Sequence, residues 1–430
     1  MFLYNIAKPT ANVALRAYFK KIYFHNDHII PQDKPVIIAC NHPTAFLDPI
    51  ILGAFLKHPI YYMVRGDVFA KPTYRKMLEN LRMIPIFRLK DGLANVKANF
   101  DIFEFVSKLL SDNQHVVYFA EGGCTQEKRL RPIQKGTARQ AFHAIDKYGE
   151  LDIHICPVSV NYGLKTQVRD VAKFDFGPPI KVLDYLETYR SNPNKAVKEL
   201  TAEIELRMRK LIVHIDKDED RQVVEQLQEL QANNVNAAIL PIRDTDIIPL
   251  RYDRLIANTI NDFEEDTKNN VKIASHKYFE KLKKLGVTDF GVLHKDFNSF
   301  WTKINLVLGF LPFLVGKAVL YPCWIYGKNT ADKKVGLEKD VEFYSSVRFG
   351  VSAVTFLFFY IVLIISALLI QKWSFFGLVA FIPFLCYFNL IFREYHQKWK
   401  EARKGSFLHP KQHAELMKER QQLLKMVLEK

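Results

Sequence analysis

PVIIACNHPTAFLDPIILGAFLK, residues 35 to 57, reads as strand, loop and helix in succession. Val36 to Cys40 is a short, apolar, β-branched run of the kind that forms a buried strand. Pro49 to Lys57 is apolar at helical length, and Asp48 before Pro49 reads as an N-cap with proline at the first helical position. The loop between them is Asn41-His42-Pro43-Thr44-Ala45-Phe46-Leu47. A histidine at a strand end, followed closely by an aspartate, suits acyl transfer to an alcohol. The imidazole takes the hydroxyl proton, and the carboxylate orients the ring and stabilises the imidazolium. Capping and catalysis are compatible, because a capping Asp48 stays near the strand end where His42 lies. Such a pair needs no serine or cysteine nucleophile, since the alcohol itself attacks and both substrates are bound together.

The same alternation extends outward from this stretch. VIIAC (36–40), HPIYYMV (58–64), MIPIF (83–87), HVVYFA (115–120), IHICPVSV (153–160) and FDFGPPI (174–180) are strand candidates. PIILGAFLK, the stretch around 74–81, ANVKANFDIFEFVSKLL (94–110) and KGTARQAFHAIDKYG (135–149) read as helices between them. Residues 193 to 214 add a long amphipathic helix with Val197, Leu200, Ile204, Met208 and Leu211 on one face. Alternating strands and helices over 31–215 predict an α/β domain. Ahead of it, residues 1–30 hold a basic amphipathic helix over Asn12 to Phe24, which either lies in a membrane interface or docks on its own domain.

Residues 216–300 are polar and helical, with charges that read as solvated helix faces. The C-terminal third is different. Phe349 to Ile370 is an uncharged apolar run of about 22 residues, long enough at about 1.5 Å per residue to cross a bilayer core of about 30 Å. Phe375 to Phe392 is a second run, and together they predict a transmembrane hairpin over 349–392. The apolar segment 301–327 contains Lys317, Pro312 and Pro322, which favours a re-entrant or interfacial course over a third span. The linker 328–348 and the basic helical tail 393–430 are rich in Lys and Arg, and two spans keep both on the cytoplasmic side with the α/β domain.

Bulk composition agrees with a membrane protein. The net charge of +15, with 49% hydrophobic and 25% charged residues, suits an anionic partner surface. No nucleic-acid-binding motif accompanies that charge, and an anionic bilayer accounts for it. The five cysteines are scattered, without histidines at ligand spacing, and read as reduced structural thiols rather than metal ligands. The N-terminus lacks the basic start and unbroken apolar core of a secretory signal.

Five ordered stretches resemble the motif blocks of the glycerophosphate acyltransferase superfamily. NHPTAFLDP is similar to the first block, IPIFR (84–88) to the second, FAEGG (119–123) to the third and CPVSV (156–160) to the fourth, and FGPPI (176–180) resembles the closing strand. The resemblance covers residues 35 to 181. It implies an α/β fold, a mixed sheet flanked by helices, here followed by a helical region and a C-terminal transmembrane helical hairpin. Carried onto this sequence, it makes His42 the general base and Asp48 its orienting partner. Arg88 would bind the acceptor phosphate, as a guanidinium fork suits phosphate geometry. Glu121 and Gly122 would shape the same pocket. Lys135 and Gly136, opening a helix, would form a further phosphate-binding element.

The implied activity is transfer of a fatty acyl group from acyl-CoA or acyl-carrier protein, used as co-substrate with no separate cofactor and no metal, to glycerol-3-phosphate or 1-acylglycerol-3-phosphate. Two features depart from the usual pattern. Five residues rather than four separate His42 from Asp48, a variant that resembles fungal-type glycerol-3-phosphate acyltransferases and requires the loop to bulge. The third block has Ala120 and Gly123 where proline and threonine are usual, which bears on acceptor choice. The alternative is a non-catalytic, membrane-anchored lipid-binding or scaffold protein that keeps the fold; the intact His42, Asp48, Arg88 and Glu121 count against it.

Overall fold

The computed structural model describes residues 2–87, 99–163, 168–235, 240–336 and 341–428. The chain forms two compact units. The first comprises Met1–Val213, Leu240–Ile247 and Asp340–Ser346, and the second His214–Ile239, Ile248–Lys339 and Val347–Lys430.

The first unit is built on a nine-stranded sheet among the described residues. In chain order the strands are β1 (Lys21–His25), β2 (Val36–Cys40), β3 (Ile60–Arg65), β4 (Met83–Ile86), β5 (His115–Phe119), β6 (His154–Tyr162), β7 (Val171–Phe176), β8 (Ile180–Lys181) and β9 (Arg243–Asp244). They lie in the order β4-β3-β5-β2-β6-β7-β1-β9, with β8 also on β6. The run from β4 to β6 is parallel, β6 meets β7 antiparallel, and β7, β1 and β9 are again parallel. The sheet is therefore mixed, as expected. β2 is central and wholly buried, which is why its sequence is an unbroken apolar run.

Among the described residues, seven α-helices accompany the sheet: α1 (Phe2–Tyr18), α2 (Leu47–Phe55), α3 (Pro72–Asn80), α4 (Asn99–Ser111), α5 (Gly136–Tyr148), α6 (Leu186–Ser191) and α7 (Pro193–Leu211). Val106 and Leu110 of α4, Phe142 of α5 and Leu200 and Ile204 of α7 pack with Ile37, Val116 and Ile155 of the strands in one core. Phe24, Phe55, Phe174 and Phe176 form an aromatic cluster with ring centroids 5.0 to 6.0 Å apart. The helix expected from Ala94 is observed from Asn99, and its first five positions lie outside the described residues.

Three sequence expectations are corrected in this unit. The N-terminal helix runs from Phe2 to Tyr18 instead of Asn12 to Phe24, and Lys21–His25 is a strand. Ile22, Tyr23 and Phe24 are all buried between β7 and β9, an environment that local periodicity does not reveal. The second correction is β9, a short strand in the stretch read as a helical region. Lys21 Nζ donates to Pro241 O at 2.7 Å and to Asp244 at 3.1 Å, fixing that strand at the sheet edge. The third concerns α2, which begins at Leu47 with Phe46 at the cap, so Asp48 lies within the first turn and does not cap it.

The second unit contains α8 (Arg221–Asn234), α9 (Ile248–Asp262), α10 (Glu265–Leu285), α11 (Asp289–Leu293), α12 (Phe300–Lys334), most of α13 (Val341–Ile370), α14 (Trp373–Ser406) and α15 (Pro410–Leu428). Its charges are not all solvated, contrary to expectation. Asp289 is fully buried and accepts from Tyr278 Oη (2.6 Å), Arg420 Nε (2.8 Å) and Asn233 Nδ2 (2.8 Å). Asp220 is likewise buried and paired with Lys268 and Lys272. Tertiary pairing between distant helices, invisible to a single-sequence reading, satisfies these groups.

Among the described residues three helices, α12, α13 and α14, are long and apolar enough to cross a membrane. The segment 301–327, read as re-entrant or interfacial, lies within one continuous 35-residue helix that includes Pro312 and Pro322. Prolines are tolerated in apolar helices whose neighbours supply alternative partners. Here Asn389 of α14 donates to Phe313 O at 3.0 Å. α12 and α14 run antiparallel: Asn298, just before α12, bonds Trp399 and Ser406, Phe313 stacks on Phe392, and Gly316 faces Leu385. Beyond α14, α15 returns onto α10 through Lys281 with Glu415 and Glu419, each at 2.6 Å.

A Cβ at position 316 would overlap the Leu385 carbonyl oxygen, which is backbone and cannot turn away. Close approach of apolar helices needs small residues at such points. Gly316→Leu is therefore expected to destabilise the second unit by about 1–3 kcal/mol. Thermal unfolding in detergent reads this, and an unchanged midpoint would refute the packing argument.

Candidate active site

β2 delivers His42 to the carboxyl end of the parallel strands, the end at which open α/β sheets bind their ligands. The delivery is fixed by Asn41, whose Nδ2 donates to Val160 O (2.9 Å) and whose Oδ1 accepts from Val160 N (2.7 Å). This side-chain pair continues the β2–β6 ladder one residue past Cys40. The His42 ring stacks on Phe119 at the end of β5, with centroids 3.7 Å apart and planes at 16°. Two β-strand ends thus set both the position and the plane of the imidazole.

His42 Nδ1 is 2.9 Å from Asp48 Oδ2. Asp48 is completely buried, and three further donors converge on it. Thr44 N–H donates to Oδ2 at 2.9 Å, Thr44 Oγ1 to Oδ1 at 2.6 Å, and Tyr162 Oη to Oδ1 at 2.6 Å. Every partner is a donor, the arrangement an acceptor-only carboxylate satisfies. The bulge that five intervening residues require is visible here, because the loop wraps the carboxylate with Thr44. Burial and the Asp48 charge push the Tyr162 phenol well above its ordinary range, so it remains a donor.

With Nδ1–H donated to Asp48, the Nε2 lone pair is available. Nε2 makes no hydrogen bond among the described residues, and the side chain keeps 13% of its exposure. The site can therefore hold an imidazole in one tautomer and one plane, with its basic nitrogen open to a ligand.

Glu121 and Gly122 follow Phe119 directly and lie beside His42. The Glu121 carboxylate accepts from Arg131 N–H at 2.9 Å, approaches Arg131 Nη2 at 3.5 Å and accepts from the His42 backbone N–H. Burial pushes its carboxyl above the ordinary range, against the pull of Arg131 and that backbone group. It braces the two loops. Gly122 has φ +71°, where a side chain would be strained, and a Cβ would also meet Gln134 Cγ at 3.0 Å.

Lys135 is exposed at the start of α5, with Gly136 the first helical residue. Gln134 N–H donates to Ala120 O at 2.8 Å, so the helix start is tied to the third motif block. Neither Lys135 nor Gly136 bonds His42 or Asp48, and Lys135 makes no ion pair among the described residues. Arg88 lies outside the described residues. A cavity of about 250 Å³ lined in part by His58 and His115 is at the amino end of β5 and holds none of these groups.

Thr44, Tyr162 and Phe119 were given no role from the sequence. Thr44 and Phe119 sit inside motif blocks, where a hydroxyl four residues before the aspartate was the available signal. Tyr162 is 114 positions from Asp48 and carries no local signature.

Residues 21–161 match a family model described as Acyltransferase. Glycerol-3-phosphate O-acyltransferase 1 of Saccharomyces cerevisiae is 29% identical over 132 residues, covering 30% of this chain and 17% of that protein. Glycerol-3-phosphate O-acyltransferase 2 of the same yeast is 23% identical over 259 residues, covering 56% of this chain and 34% of that protein. The chain thus spans about a third or less of the length of the curated relatives it matches. Among solved structures, the 1-acyl-sn-glycerophosphate (LPA) acyltransferase PlsC from Thermotoga maritima aligns over 47% of this chain and 78% of that one, with a TM-score of 0.35 and 15% identity.

Proposed function

We propose, from the premise that residues 21–161 belong to the glycerophosphate acyltransferase superfamily, that this chain is a membrane-bound O-acyltransferase of glycerolipid synthesis. The acyl group comes from acyl-CoA or acyl-carrier protein, and the acceptor is glycerol-3-phosphate or its 1-acyl derivative. Glycerol-3-phosphate is preferred, on the five-residue His-Asp spacing and on the names of the two yeast relatives. The observation that carries the proposal is the His42–Asp48 contact with Nε2 left open at the carboxyl end of the parallel strands.

In the reaction, the acceptor hydroxyl attacks the thioester carbonyl carbon while His42 Nε2 takes its proton. The C–S bond then breaks, and the imidazolium returns that proton to the departing thiolate. The products are an ester and a free thiol, and the base is regenerated. Asp48 lowers the cost of the transient imidazolium. Arg88 and Lys135, with the Gly136 end of α5, supply cationic and N–H groups for the acceptor phosphate. Glu121 and Gly122 shape the loop beneath it.

The three apolar helices anchor the chain in the bilayer. Polar helices before α12 and after α14 pack together as α10 and α15, which supports an even number of crossings, with two of the three apolar helices spanning and the third not crossing. The Lys- and Arg-rich flanks support a cytoplasmic location for the side that holds α10 and α15. The exposed Phe2, Ile6 and Val13 of α1 offer a face for the same membrane surface.

The test uses purified full-length protein with labelled acyl-CoA or acyl-carrier protein and each acceptor in turn. Formation of labelled lysophosphatidate or phosphatidate is expected; no transfer from either donor to either acceptor would overturn the proposal. Tyr162→Phe removes one charge-assisted donor from Asp48 and is expected to lower kcat by about 10- to 150-fold, in line with about 1.5–3 kcal/mol for such a bond. Wild-type turnover in that variant would show that Thr44 and His42 suffice to hold the carboxylate.

A further inference from the structure

The opening turns of α13 belong to the α/β unit, although the helix is remote from the motif blocks in sequence. They meet the two loops that flank His42. Ala45 N–H donates to Glu342 O at 3.1 Å, and Phe46 N–H donates to Ser346 Oγ at 3.0 Å. Gln126 Nε2 donates to Val341 O at 3.0 Å. The Phe46 and Phe343 rings stand edge to face at 5.7 Å. Tyr18 Oη approaches Ser345 O at 3.4 Å from the side of α1.

These bonds answer a need created by the bulged loop. Its backbone N–H groups have no helix or sheet ladder to join, and buried donors require partners. Three successive groups are accounted for. Thr44 N–H goes to Asp48, whereas Ala45 and Phe46 both go to α13. The loop that carries the carboxylate into line with His42 is thus held at one end by its own aspartate and at the other by a helix far along the chain, Ser346 lying 300 residues after Phe46. Phe46 is also the residue from which α2 starts, so its anchoring fixes the first turn in which Asp48 sits.

We infer that Ser346 is a positioning residue for the His42–Asp48 pair, with the Glu342 carbonyl as its companion. It touches neither substrate nor proton; it holds the loop whose shape sets the dyad. Loss of the hydroxyl leaves the Phe46 N–H without its acceptor and frees the loop to depart from the geometry that orients the imidazole. Ser346 is 3% exposed, so water does not readily replace it.

The kinetic part of the test rests on the acyltransferase reading above, and the exchange part does not. In Ser346→Ala, amide hydrogen exchange in peptides spanning residues 41–50 is expected to quicken about tenfold against the wild-type full chain. kcat is expected to fall about tenfold with KM for both substrates within about twofold, and Ser346→Thr is expected to restore both readings. Unchanged exchange in the loop, or quickened exchange with unchanged kcat, would overturn the assignment. If Ser346→Ala does not fold, Gln126→Leu removes the neighbouring tie at a half-buried position and is held to the same two readings. A wild-type protein without acyl transfer would sink the catalytic proposal alone, since the exchange comparison stands without turnover.

Discussion

His42→Ala is expected to lower kcat for acyl transfer about 10²- to 10⁴-fold, the range a positioned general base contributes. The imidazole sits at the strand ends aligned for this role, with Nδ1 committed to Asp48 and Nε2 open. The side chain is only partly buried, so its loss leaves a space water can enter and the fold should persist. Circular dichroism and the unfolding midpoint should therefore stay near wild type while turnover collapses. Activity within about tenfold of wild type would show that another base takes the proton.

Asp48→Asn is expected to be as damaging to turnover, about 10³- to 10⁴-fold, and to weaken the fold as well. An asparagine side chain presents one oxygen and one NH₂ group where four donors now converge on two oxygens. Whichever way the amide turns, two donors face an NH₂ group. If the Thr44 N–H and His42 side meets the NH₂, the imidazole must flip tautomer and Nε2 loses its lone pair. If the Tyr162 and Thr44 hydroxyls meet it, they must rotate away and the bulge opens. Removing one charge from a buried, fully hydrogen-bonded cluster costs about 3–5 kcal/mol, so the unfolding midpoint should drop, which His42→Ala should not cause. A variant that unfolds like wild type and turns over like wild type would show that the carboxylate charge is unnecessary.

The contrast between these two variants follows from which parts of the site were legible in the sequence. His42, Asp48, Glu121 and Gly122 stand in short blocks after apolar runs, and the strands β2 and β5 that present them were readable from those runs. What holds Asp48 was not. Tyr162 arrives on β6, and Ser346 at the head of an apolar helix, through contacts that span 114 and 300 positions. The same limit explains the misread elements. β1 is short and carries a lysine, and it is a strand because β7 and β9 flank it. Asp289 and Arg420 look like surface charges until α10, α11 and α15 are brought together. Pro312 and Pro322 argue against a continuous helix on propensity, and the packing of α14 against α12 overrides that argument.

β9 has a practical corollary for anyone wishing to excise the α/β unit. A truncation after Val213, the natural place to cut on sequence grounds, discards Leu240–Ile247 and with it the outermost strand. The Ile22 N–H would lose Ile242 O, its acceptor at 2.8 Å, and a lysine ammonium at 3% exposure would be stripped of its counter-charge. The raw margin so uncovered is a template for intermolecular pairing. Soluble expression of a shortened α/β unit therefore calls for a graft that restores those eight residues to the sheet, instead of a stop codon.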